Sequence, residues 1–370
     1  MYNCIWSMKK ILIVFNHPAP YKVRLFNELS KTFDLHVIFE RNANKDRSKA
    51  FYFEDKYNFT THKIKGIKLG KENILSSGVK KHIKHNKYDL VIMNGYSNFA
   101  EMKAINYLKK HNIPYVLYIN GGTIKEKEGL LKSSIKTHFI KDAKAYFSPD
   151  EESNKYLIHY GANKDKIFNY PYSTIYEKEI LKDNVNKSEL RKKLGLDKFN
   201  KVFVSSGQLI KRKNYVSLVK EWIAYPKDSA LVLIGEGNER KAIESLIKEH
   251  GLNNVILTGF LSREKMFEYF KASDAFLFPS NEDIYGHVIN EAMSQGIPVV
   301  STNKVNSAIK LINNNLNGEL LESLSGFNLR LAIEKVTEKS LFDNCVKTAK
   351  ENTIEKMAKR HEEMINEVMK

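Results

Sequence analysis

The feature that most constrains this chain is a repeated change of hydrophobic period. From Lys9 onward, short apolar runs of the kind that form strands buried on both faces alternate with longer segments carrying apolar residues at helical spacing. Ile11–Phe15 is the first run, and Tyr21–Lys31, with Val23, Leu25, Phe26 and Leu29 on one face, is the first helical segment. The pattern predicts further strands at Leu35–Phe39, Leu90–Met93, Tyr115–Ile119 and Ala145–Phe147. It predicts helices at Ile74–His85, Asn98–His111, Leu130–Ile140 and Glu151–Tyr160. Apolar strands alternating with helices imply an α/β fold, a parallel sheet covered on both faces.

A second series follows Tyr170-Pro171-Tyr172 and the charged connector Glu177–Asn186, with strands at Val202–Ser205, Leu231–Ile234, Val255–Leu257, Ala275–Phe278 and Pro298–Val300. A chain of 370 residues is long enough for two domains. The expectation is two Rossmann-like domains, residues 1–174 and 175–344. A helical pattern over Leu341–Met369 completes the first domain with a C-terminal helix from about 345 to 370. In open sheets of this type ligands bind beyond the carboxyl ends of the strands, and two such domains facing each other make a cleft there.

Composition narrows the function classes. Cys4 and Cys345 are the only cysteines, which excludes a disulfide framework or a cysteine-based zinc site. No run of about 18 apolar residues and no charged leader with a long apolar core is present, so the expected location is cytoplasmic. Residues 1–7, which precede Met8, read either as an extension or as an upstream start. Of the net charge of +17, residues 1–170 hold 30 Lys and Arg against 16 Asp and Glu, and the remaining 200 hold 30 against 27. That asymmetry fits either a solvated lysine-rich surface or an attraction to phosphate or anionic lipid. No nucleic-acid-binding module accompanies it, so nucleic acid is not an expected partner.

The segment Phe278–Ser301 concentrates the chemistry. A buried strand ends at Pro279, a loop presents Glu282 and Asp283, Tyr285 and Gly286 follow, and a helix runs from His287 through Val288 to Gln295 before Gly296 and Pro298 stop it. A glycine before a helix leaves N–H groups open to a diphosphate. Asp283 and Glu291 are acceptors for sugar and ribose hydroxyls. Taken singly, Asp283 also reads as a helix cap and Glu291 as a solvated helix residue. Upstream, Ser205–Asn214 carries Gly207, Gln208, Arg212 and Lys213 between a strand and a helix, with Asn214 as N-cap. Two cations there suit the charge that develops on a departing diphosphate.

These segments resemble the donor-binding signature of retaining GT-B glycosyltransferases of the group 1, or family 4, type, including bacterial polysaccharide-assembly members. Asp283 falls on the first of two acidic positions separated by seven intervening residues, commonly Glu in the family, and Glu291 on the second. Glu291-Ala-Met293 and Gly296-Ile-Pro-Val-Val300 match directly. The resemblance implies that Asp283, with Glu282 beside it, contacts the transferred sugar and that the backbone after Gly286 contacts sugar or diphosphate. It implies that Glu291 holds the ribose and that Lys213 with Arg212 stabilises the leaving group. Gln208 stands where the family usually has Arg. Gly235 and Glu236, and Phe260 and Leu261, fall where relatives contact the nucleobase.

In the first domain, Asn16–Asn27 resembles the opening of polysaccharide-assembly members. Tyr21 and Arg24 are candidates for acceptor contact, with core packing the alternative for Tyr21. Asn120-Gly-Gly-Thr123, with Asn120 and Gly121 as cleft-lining candidates, lacks the His that some relatives carry in this region.

The implied partners are a nucleoside-diphosphate sugar, by default UDP-linked, and a saccharide or lipid-linked acceptor in cell-surface polysaccharide synthesis. No metal and no cofactor are expected. The basic amphipathic segments Val79–Lys84 and Leu130–Lys141 read as core helices or as a peripheral contact with anionic membrane at its inner face. A nucleotide-sugar epimerase of the same architecture, and a nucleic-acid-binding protein, are the competing readings.

Overall fold

The computed structural model describes residues 8–41, 56–64, 66–69, 73–122, 124 and 127–370. Cys4, with the rest of residues 1–7, and Thr123 lie outside the described residues. The chain divides into two compact units, residues 1–174 with 354–370, and residues 175–353.

The first unit runs β1 (Lys10–Phe15), α1 (Pro20–Leu29), β2 (Asp34–Phe39), β3 (Thr60–Lys63), β4 (Ile67–Leu69), β5 (Asn73–Leu75), α2 (Gly78–His85), β6 (Leu90–Met93), α3 (Phe99–Lys110), β7 (Tyr115–Tyr118), α4 (Leu130–Ile140), β8 (Ala145–Ser148), α5 (Glu151–His159) and β9 (Ile167–Asn169). The second runs α6 (Lys187–Leu194), β10 (Lys201–Ser206), α7 (Tyr215–Trp222), β11 (Ser229–Ile234), α8 (Arg240–Glu249), β12 (Val255–Gly259), α9 (Arg263–Ala272), β13 (Ala275–Phe278), α10 (Val288–Ser294), β14 (Val299–Thr302), α11 (Asn306–Leu311), β15 (Gly318–Leu321), α12 (Gly326–Thr337) and α13 (Phe342–Glu351). The last helix, α14 (Ile354–Met369), belongs to the first unit.

Each unit is built on a parallel sheet. The first has strand order β3-β2-β1-β6-β7-β8-β9 and the second β12-β11-β10-β13-β14-β15. Central strands such as β6, β7, β8 and β11 are buried along their whole length, which is why they read as continuous apolar runs. Helices cap where the chemistry allows: Asn98 accepts from the N–H groups of Ala100 and Glu101, and Glu101 reaches back, a complete capping box at α3.

Several boundaries differ from the sequence expectation. Ile74 lies in β5, paired antiparallel with β4, so the helix predicted from Ile74 begins only at Gly78. The tract read over Leu341–Met369 is two helices, broken at Asn352 and Thr353. Helix α14 lies along α1 and buries Ile354, Met357, Ala358, His361, Met364, Ile365 and Val368, one face of a regular amphipathic helix. Edge strands β3 and β9 went unpredicted because much of each faces water; Thr60–Lys63 has no apolar residue at all.

Candidate active site

Strand order decides where the second unit can bind a ligand. Beta10 pairs with β11 on one side and β13 on the other, so the chain reverses its direction of winding between β10 and β13. At such a switch point the loops leaving the two strands separate and open a crevice. Those loops, 207–214 and 279–287, are the two segments singled out in the sequence.

The crevice brings their charged residues together. Lys213, in a short 3-10 turn over Lys211–Lys213, is buried and its Nζ is ion-paired with Asp283 Oδ2. It also lies 4.7 Å from the centre of the Phe278 ring, a cation–π contact at the end of β13. Arg212 is more open: its Nη1 is 3.9 Å from Asp283 Oδ1 and donates to the Glu282 carbonyl at 3.1 Å. Asp283 is held by its backbone as well, since its N–H donates to Lys304 O at 3.1 Å. Two cations from one loop therefore meet one carboxylate from the other. Glu282 is exposed beside them.

The shape of the second loop depends on Gly286. Its φ is +89°, and an added Cβ would stand 2.7 Å from Val305 Cγ1 and 3.0 Å from Ser307 Oγ. Ser307 fixes the loop by donating from Oγ to Gly286 O and from N to Tyr285 O, both at 2.8 Å. Tyr285 is buried, packed on the His287 ring, and Val288 opens α10. No side chain caps α10, so Asp283 is not its N-cap. Asn214, expected to cap α7, sits at the N-cap position in a left-handed conformation, φ +60°, without a side-chain cap bond. It serves the tight turn after Lys213, a role its tolerance of positive φ explains.

The loops after β10, β11 and β12 are joined edge to edge. Gly207 N donates to Ile234 O, Leu209 N to Glu236 O and Gly235 N to Gly259 O, each at 2.9 Å. A side chain at Gly235 would run into the Gly207 carbonyl, so the two backbones touch there. Gln208 is half-buried beside them, Glu236 is paired with Arg240 at 2.7 Å, Phe260 is half exposed and Leu261 packs on the core.

Glu291 is neither solvated nor alone. Arg263 Nη1 donates to its Oε1 at 2.5 Å, and Arg263 Nε donates to Glu179 Oε1 at 3.2 Å. Burial opposes the guanidinium's charge, but Glu291 and Glu179 outweigh it and raise its pKa above the ordinary value. Sequence reasoning missed Arg263. Its signal is an arginine at the first position of a helix, α9, where the dipole favours acids.

In the first unit Tyr21 and Asn120 are brought together through Tyr172, whose hydroxyl donates to Asn120 Oδ1 at 3.0 Å and lies 3.3 Å from Tyr21 Oη. Asn120 Nδ2 donates to Asn94 Oδ1 at 2.6 Å, linking the ends of β6 and β7. Gly121 follows, half-buried, with φ +135°. Arg24 donates to Thr174 O at 3.0 Å. Beneath Tyr21, Lys22 is fully buried; its Nζ donates to Tyr118 Oη at 2.6 Å and lies within 5.9 Å of the ring centres of Phe15, Tyr21, Tyr118, Tyr170 and Tyr172. Desolvation pulls its pKa well below 10.5.

A cavity of about 250 Å³, lined among others by Lys187, Lys201, Lys271 and Lys339, opens at the amino ends of β10, β13 and β14. It lies opposite the crevice and contains none of its residues.

The family described as glycosyl transferases group 1 matches residues 186–356. The match covers both crevice loops, Arg263 and Glu291. The chain is 27% identical over 237 residues to an uncharacterized glycosyltransferase of Methanocaldococcus jannaschii, covering 60% of this chain and 57% of that one. It is 34% identical over 90 residues to the 2-deoxystreptamine N-acetyl-D-glucosaminyltransferase of Niallia circulans, 24% of this chain and 23% of the relative. The chain thus spans less than two thirds of the length of these curated relatives. Among solved structures, HepE of Anabaena in complex with UDP superposes with a TM-score of 0.79 at 18% identity, over 97% of this chain and 100% of that one. That likeness shows the fold, two Rossmann-like units of the GT-B class.

Proposed function

We propose that the chain is a retaining glycosyltransferase that moves a sugar from a UDP-sugar to a hydroxyl of a saccharide or lipid-linked saccharide. The observation that carries this reading is the pairing of Lys213 with Asp283 at the switch point of the group 1 domain, flanked by Arg212 and the Gly286 turn. In the reaction the C1–O bond to the diphosphate breaks and a C1–O bond to the acceptor oxygen forms on the same face. The acceptor proton passes to the departing phosphate oxygen, and UDP leaves.

Lys213 and Arg212 stabilise the negative charge that grows on the diphosphate. Asp283 accepts hydrogen bonds from the transferred sugar, with Glu282 within reach, and Glu291 accepts from the ribose. Gly207 and Gln208 belong to the loop that holds the diphosphate, Gly235, Glu236, Phe260 and Leu261 frame the nucleobase, and Tyr21, Asn120 and Gly121 lie on the acceptor side. The donor assignment draws support from HepE of Anabaena, solved with UDP and with UDP-glucose. No step requires a metal or a cofactor.

The acceptor side carries a membrane-facing element in this reading. Leu130 and Leu131 of α4 are 87% and 76% exposed, next to Lys127 and Lys132, in the half of the chain that holds most of the positive charge. An exposed apolar pair flanked in sequence by Lys127 and Lys132 suits the inner face of an anionic membrane and an acceptor anchored there. Among the described residues no helix is long and apolar enough to cross a membrane.

The test is a thermal-shift screen of UDP-, GDP-, ADP- and dTDP-sugars against wild type and Glu291→Ala, followed by product analysis. UDP-sugars should raise the wild-type transition and do so less in the variant. No shift with any nucleotide-sugar would remove the donor site, and turnover without a new glycosidic bond would favour an epimerase.

A further inference from the structure

We propose that Arg263 is a positioning residue for donor binding: it aims the Glu291 carboxylate at the ribose by bridging it to Glu179. The role rests on the donor reading above.

Three fixed points hold the guanidinium. Glu179 is itself anchored twice, accepting from Tyr176 N–H at 2.7 Å through Oε2 and from Gln295 Nε2 at 3.0 Å through its main-chain carbonyl. Its remaining oxygen, Oε1, takes Arg263 Nε at 3.2 Å. The flat face of Arg263 lies 4.6 Å from the centre of the Phe267 ring, one turn along α9. Nη1 is then directed at Glu291 Oε1, 2.5 Å away. All three charged side chains are largely buried, with 13%, 20% and 12% of Arg263, Glu179 and Glu291 exposed.

Location gives the bridge its meaning. Arg263 begins α9 directly after Phe260 and Leu261, the segment proposed to frame the base, while Glu291 comes from α10 and is proposed to hold the ribose. One side chain therefore sets the spacing between the parts of the site that read two halves of the same nucleoside. A planar, rigid fork does this where a lysine, a single point charge on a flexible stem, does not. Its charge also separates two carboxylates that would otherwise repel each other in a partly dry site.

The experiment measures UDP binding by calorimetry and donor kinetics for wild type, R263K, R263Q and the double variant R263Q/E179Q. R263Q should weaken UDP roughly 10- to 100-fold and raise the donor KM in step, with kcat at saturating donor little changed. R263K should recover only part of the loss. In R263Q the two carboxylates face each other without a cation and bind protons more readily, so UDP affinity should fall as pH is lowered from 7 to 5.5, more steeply than in wild type. E179Q, introduced into R263Q, should remove that extra pH dependence and restore part of the affinity, which recovery from a merely structural defect would not do. Wild-type binding of UDP with R263Q within about twofold of it overturns the role alone. So does a loss of kcat with donor affinity intact. Wild type that binds no UDP overturns the donor reading and this role with it.

Discussion

The two units handle buried cations in opposite ways. In the second, Lys213 meets Asp283, and Arg263 meets Glu291 and Glu179, so each cation is balanced by a carboxylate. In the first, Lys22 is enclosed by five aromatic rings with a tyrosine hydroxyl as its hydrogen-bond partner. His361 of α14 adds a sixth ring to that cluster, 4.6 Å from the centre of Tyr170, and accepts from Tyr118 at 3.3 Å while donating to Met357 O. Burial and the nearby Lys22 charge hold its pKa down at about 3. Paired charges mark a place where charge is used; an environment that suppresses charge marks packing.

The largest effect expected from this contrast is on turnover. Lys213→Ala or Asp283→Asn should each lower kcat by about 100- to 1,000-fold, the range found when one preorganised electrostatic contact to a transition state is removed. Loss confined to KM would break the contrast, because it would make the pair a binding feature only. Next, Gly286→Ala should cost roughly 1–3 kcal/mol of stability, read from urea midpoints, because a Cβ there meets Val305 in a strained backbone conformation. UDP affinity should drop with it.

Lys22→Met should act in the opposite direction and stabilise the protein at pH 7 by about 1–2 kcal/mol, since the methionine fits the aromatic enclosure without a charge to desolvate. The sign follows from the depressed pKa. Between its folded value and 10.5 the unfolded chain binds a proton that the folded chain does not, so wild-type stability rises with pH across that window, and the variant should lose that slope. His361→Phe sharpens the same point at acid pH. The folded pKa of about 3 against an ordinary 6.5 means that stability is full above 6.5 and falls as pH drops toward 3; the variant should flatten that limb by roughly 1–2 kcal/mol at pH 5. His82, depressed to about 4 by burial and by His62 and His36, keeps its own share of the slope in both proteins.

Buried strands were legible because their apolar runs are continuous, and Ile11–Phe15 is the plainest case. The short edge strands were not: Gly318–Leu321 offers two apolar residues, Thr60–Lys63 none. The crevice loops were legible as motifs, yet their meeting was not, since it depends on β10 and β13 becoming neighbours, which no local pattern encodes. Lys22 reads in the sequence as an ordinary helix lysine between Tyr21 and Val23. Only the arrival of rings from β7, from the segment after β9 and from α14 reveals that it is enclosed.

That arrival has a consequence for synthesis. The first unit needs α14, so it lacks its last helix until residues 354–370 have been made, whereas the second is complete once Thr353 has emerged. At typical elongation rates the exposed face of α1 waits on the order of ten to thirty seconds while the intervening unit is made. A ribosome that stalls within that interval leaves a nascent chain whose leading half shows bare apolar surface, the part of the molecule that would draw chaperones first.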